Sequence, residues 1–155
     1  MARPRGRSAA PFRAPPPWWA RQAARVIFES GLLTAYPTMR RIVGPEGPQY
    51  RGRLDVPHYE ARTATVHVTG YDRVVGASVL VDGPTQSPHR YRGGYLCMWE
   101  EEDPPAMRWL TSDGLVALLD HVRLHLFREA WWRETGRWSG PQAPHRAAPS
   151  KGEAA

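Results

Sequence analysis

The chain has 155 residues, 41% of them hydrophobic, which suits one domain with a real core and flexible ends. No apolar run approaches the ~20 residues that span a bilayer, and prolines follow the basic N-terminus where a signal peptide needs an apolar stretch. The expectation is a soluble, cytoplasmic protein with no membrane partner. The net charge of +6 resides in Arg3, Arg5, Arg7, Arg13, Arg21 and Arg25, which all precede the first acid, Glu29. The rest of the chain is balanced, so the excess belongs to a tail and specific nucleic-acid binding is not expected. The single cysteine, Cys97, excludes an internal disulfide and a cysteine-cluster zinc site. It leaves a thiol that is either buried and inert or reactive.

Residues 1–17 are rich in Pro, Arg and Ala and lack the apolar surface to fold alone. From Trp18 the spacing of Trp19, Ala23, Val26, Ile27 and Ser30 predicts a short amphipathic helix, with Gly31 as its stop. Four strands follow, at 36–43, 50–56, 63–69 and 77–81. The third, Thr63-Ala64-Thr65-Val66-His67-Val68-Thr69, is β-branched and alternates with period two. Short turns and no intervening helix imply an antiparallel meander in an α+β fold.

Residues 84–108 read as a long irregular loop holding Gly93-Gly94, Cys97 and the acidic run at 100–103; its aromatic content argues for a built feature. Thr111 or Ser112 is the predicted cap of a strong helix whose stripe is Leu115, Leu118, Leu119, Val122 and Leu126, ending at Gly136. His121, His125 and Glu129 stand one turn apart on it. No Glu separates the histidines as in a His-Glu-x-x-His site and no third ligand is evident, so the stripe reads as a solvent-edge face. Trp131, Trp132 and Trp138 read as packing residues, and residues 140–155 as a flexible tail. No cofactor or metal is expected.

Two segments carry a resemblance. Gly44-Pro45-Glu46-Gly47-Pro48-Gln49-Tyr50-Arg51-Gly52 is similar to the Gly-Pro…Pro-Tyr-x-Gly turn of the ubiquitin-conjugating enzymes. Ser87-Pro88-His89-Arg90-Tyr91-Arg92-Gly93-Gly94-Tyr95-Leu96-Cys97-Met98 matches the family's cysteine segment at Pro88, Gly94, Leu96, Cys97 and Met98 without a gap. Trp109 before the predicted cap resembles the family's helix start. The likeness covers residues 18–127, and it implies a UBC-like fold over 18–139 with Cys97 as a thioester-forming nucleophile.

His89 stands where the family has an Asn. In that place an imidazole N–H can stabilise an oxyanion, a contact worth about 3 kcal/mol when preorganised, or it can act as a base. The insert Glu100-Glu101-Glu102-Asp103-Pro104-Pro105 also departs from the family. Its carboxylates can take a proton from an incoming amine, would raise the thiol pKa, or are merely a solvated loop. The ending after Phe127 resembles the stand-alone bacterial conjugating-enzyme-like proteins of CBASS antiphage operons. That likeness implies a cGAS-like nucleotidyltransferase, or another protein whose C-terminus is conjugated, as partner, with an activating enzyme as a further candidate. Twenty Arg against one Lys fits a GC-rich bacterial genome, and the lone Lys151 confines self-modification through lysine to the tail. A non-catalytic adaptor of the same fold and a Cys-His thiol hydrolase with His89 as base are the alternatives.

Overall fold

A computed structural model describes residues 17–44, 47–69, 76–100 and 103–141. The basic arm up to residue 16, Pro45 and Glu46 of the Gly-Pro turn, Glu101 and Glu102 of the acidic run, and the tail from 142 with His145 and Lys151 lie outside the described residues.

A 3-10 turn, Trp18–Ala20, leads into α1 (Gln22–Phe28) and the single turn α2 (Leu32–Ala35). Strands β1 (Arg40–Gly44), β2 (Gly47–Leu54), β3 (Arg62–Thr69) and β4 (Gly76–Val81) come next, and α3 (Gly114–Thr135) follows the long loop. The sheet order is β1-β2-β3-β4, every pair antiparallel, which is the predicted meander. Tyr50 pairs with Val66 and Val66 with Val79, so period-two alternation places these three on one face.

That face, with Leu54, Ala64, Val68 and Val81, forms one core with Leu115, Leu118, Leu119, Val122 and Leu126 of α3. The predicted stripe is therefore the buried one, and a helix laid on one face of an antiparallel sheet makes the α+β architecture. Gly52 sits where β2 passes the turn before β1: a Cβ there would lie 2.6 Å from the Cα of Met39. Among the described residues no helix is long and apolar enough to cross a membrane.

Three expectations need correction. The chain is not extended from residue 36. Gly31, at φ +75°, turns it into α2, and Tyr36 is a buried corner residue whose hydroxyl donates to Asp120 on α3. β1 starts only after the turn closed by Met39 N–H on the Tyr36 carbonyl. Val26 and Ile27 do not face the core but are 59% and 74% exposed. The initial 3-10 turn rotates the helix so that Trp18 and Phe28, with ring centroids 4.9 Å apart, are buried instead. Neither Thr111 nor Ser112 caps α3. Residues Thr111–Asp113 form a 3-10 turn in which the Asp113 carboxylate accepts the Leu110 N–H at 2.8 Å.

Candidate functional site

The site is built on the chain that leaves β4. Two single bridges, Leu80 with Tyr95 and Arg90 with Leu96, fold residues 90–96 into a tight reversal against the sheet edge. Its tip needs positive φ at two successive positions, supplied by Gly93 at +91° and Gly94 at +86°. Leu96 N–H then donates to the Val79 carbonyl and Cys97 N–H to the His89 carbonyl, both at 2.9 Å. The cysteine backbone is thereby tied on one side to β4 and on the other to the segment carrying His89.

The Cys97 side chain is half-buried. Its Sγ donates to Oε1 of Glu100 at 3.5 Å, and the Tyr91 hydroxyl hydrogen-bonds the sulfur. Burial pushes the thiol above its ordinary value. The Tyr91 hydroxyl opposes that, while the carboxylates of Glu100 and Asp103 add to it. Glu100 is held by a compact turn: its N–H donates to Asp103 Oδ2 at 2.9 Å, and its carbonyl accepts from Asp103 N–H at 3.2 Å. The described part of the acidic insert is thus folded against the thiol and is not a freely solvated loop.

His89 is buried, with its backbone N–H donating to Ser87 Oγ at 3.2 Å. Its ring lies 4.1 Å from that of Trp138 and 6.4 Å from that of His125. Gly136, at φ +72°, ends α3 as predicted and turns the chain back so that Trp138 lies against both histidines. Trp138 packs as expected of it; Trp132 is half-buried and Trp131 is 41% exposed. A cleft of about 420 Å³ opens here, lined by His89, Cys97, Trp99, Leu124, Arg128 and Trp138 among others. The two candidate site residues therefore share one cleft, joined through the backbone, while the groups acting on the sulfur are Tyr91 and Glu100.

The stripe His121, His125, Glu129 is not a solvent-edge face. Only His121 is exposed, whereas His125 is 4% exposed and Glu129 is completely buried. The reason is charge pairing. Arg90, from the cysteine-bearing loop, donates from Nε and one Nη to the two Glu129 oxygens, each at 2.7 Å, and from its other Nη to the Gly94 carbonyl at 2.8 Å. Arg133 adds a bond at 3.1 Å, and His125 Nε2 lies 3.5 Å away. Burial alone would raise the Glu129 carboxyl, but the hydrogen bonds from Arg90, with His125 nearby, outweigh it and hold the group at about 2.

Among the described residues no group of three His, Cys, Asp or Glu side chains converges as metal ligands. Sequence reading passed over Arg90, Tyr91 and Arg128. The one available signal was an Arg within the cysteine segment facing a helical Glu, and no periodicity relates positions 39 residues apart. No family model, curated protein or solved structure is significantly similar to the chain.

Proposed function

We propose that the chain is an acyl-transferring enzyme of the ubiquitin-conjugating kind, in a UBC-like fold. It would carry a protein C-terminus as a thioester on Cys97 and pass it to an amine. The observation that carries this reading is the placement of Cys97 on the wall of a cleft with a carboxylate at its sulfur and a buried imidazole in the same cleft.

In the first half-reaction Sγ attacks an activated acyl carbonyl, and its proton passes through Glu100 to the previous leaving group, which departs as the new C–S bond forms. In the second half the amine attacks the thioester and Glu100 takes the ammonium proton. The C–S bond then breaks, and Glu100 returns that proton to the sulfur, which leaves as the thiol. His89 has the role that its position implies, an N–H toward the oxyanion of either tetrahedral intermediate. The stand-alone proteins of CBASS operons supply the setting by resemblance, with a cGAS-like nucleotidyltransferase as the protein conjugated and an activating enzyme upstream. The hydrolase alternative loses ground because the thiol already has an acceptor in Glu100.

The test is to incubate the protein with the candidate partner and its activating system. A reductant-sensitive adduct is expected with wild type and none with C97A at unchanged folding. The same adduct on C97A would sink the reading.

One observation favours a second reading, that of a non-catalytic adaptor: burial and two carboxylates raise the thiol pKa against the opposing Tyr91 hydroxyl. Titrating thiol alkylation separates the two. A thiol that stays unreactive well above pH 9, with no adduct formed, identifies the adaptor.

A further inference from the structure

The Cys97 cleft is electrically lopsided. Its loop side carries Glu100 and Asp103, both already engaged with Cys97 or with each other. Its helix side carries His121, His125 and Arg128. His125 is turned toward Glu129, but Arg128 is half-buried and no acidic group among the described residues pairs with it. The guanidinium is packed so closely under the returning chain that a Cβ at Gly140 would lie 2.7 Å from its Cζ. A desolvated guanidinium is a strong donor fork whose natural complement is a carboxylate. The same cleft carries the apolar and aromatic side chains of Met98, Trp99, Leu124 and Trp138.

Resting on the proposed acyl transfer at Cys97, we infer that Arg128 forms a specificity subsite for an acidic side chain in the C-terminal tail of the protein being carried. The terminal carbonyl is consumed at Cys97, so the carboxylate that Arg128 meets belongs to an Asp or Glu upstream of it. Charge complementarity decides the occupant: a tail with Lys or Arg at that place would bury two like charges together.

The experiment uses the full-length protein and a series of synthetic peptide thioesters, with one Glu moved along successive positions before the reacting carbonyl and Gln counterparts as controls. In the reaction Cys97 Sγ attacks the peptide carbonyl, the old C–S bond breaks, and the small thiol leaves with the proton; labelling is read by intact mass. One Glu register should label about tenfold faster than its Gln control, the order expected for a charge-assisted hydrogen bond in a partly desolvated site. R128A should abolish that preference, so that the Glu and Gln peptides of that register label at one rate, and R128E should prefer a Lys tail in the same register.

Equal rates for every Glu and Gln pair while Cys97 is still labelled would overturn the subsite and leave the acyl-carrier reading standing. Equal rates joined to faster labelling of E153Q would place an acid of the chain's own tail on Arg128 and likewise overturn it. Failure of any thioester to label Cys97 would overturn both.

Discussion

At the scale of single residues, the chemistry of Cys97 is a contest between its neighbours. Glu100 and burial favour the thiol, and Tyr91 favours the thiolate. Removing the carboxylate should therefore lower the thiol pKa, whereas removing the hydroxyl should raise it. At pH 7.5, E100Q is expected to speed alkylation by iodoacetamide roughly three- to tenfold, because each pKa unit changes the thiolate fraction about tenfold. Y91F should slow it. If Glu100 is the proton acceptor, E100Q will at the same time slow transfer to an amine by about 10²-fold. Alkylation and transfer moving in opposite directions would distinguish a base from a passive neighbour, and parallel changes would remove Glu100 from the mechanism.

Cys97 itself was legible because it is the sole cysteine and its spacing from Pro88 and Gly94 could be compared. Its partners were not. Tyr91 and Glu100 reach the sulfur through a glycine reversal and a carboxylate-closed turn, and an irregular chain path leaves no periodic trace in the sequence.

At the scale of elements, the link between α3 and the cysteine-bearing loop is ionic. Glu129 is completely buried and takes both oxygens' worth of bonding from Arg90. Breaking one side of such a pair strands the other charge, at a cost of about 3–5 kcal/mol. E129Q should lower the thermal midpoint sharply and loosen the loop. The double change R90M/E129M should recover much of that loss, because no member of the main pair is left unpaired.

The acid sensitivity follows with a definite sign. The carboxyl titrates at about 2 in the folded chain against 4.5 for the ordinary group. Its stabilisation is complete above 4.5 and fades as pH falls toward 2. Midpoints measured across that window should fall steeply in wild type and much less in the double variant. Polar residues at i and i+4 normally mark a wet helix face, which is how this stripe read from the sequence. The distant Arg90 supplies the bidentate pair that offsets the burial, with Arg133 adding a third bond, and pairing across 39 residues is invisible to helix periodicity.

At the scale of the whole molecule, the order of strands in space repeats their order in the chain, and one long helix covers the inner face. That much was readable because alternation in 63–69 and the leucine stripe of α3 are each set by their own local period. The N-terminal quarter was not, because short helical turns separated by Gly31 take their register from Trp18 and Phe28 docking on the core rather than from their own pattern. Leu118 is fully buried between sheet and helix. L118A should cost about 2–5 kcal/mol by chemical denaturation, for lost transfer energy plus an unfilled cavity. If L118A cost under about 1 kcal/mol, the helix would not be the lid of this core.

The turn at Gly136 has a practical outcome. It sends the chain back so that Pro141 forms part of the rim around Cys97. A tag or fused protein joined directly after Pro141 would start from the rim of that cleft, at the millimolar effective concentration typical of a short flexible tether. On the proposed acyl transfer, a lysine-rich tag placed there would be an intramolecular acceptor for the thioester, so a chain meant for transfer assays is better tagged at its other end.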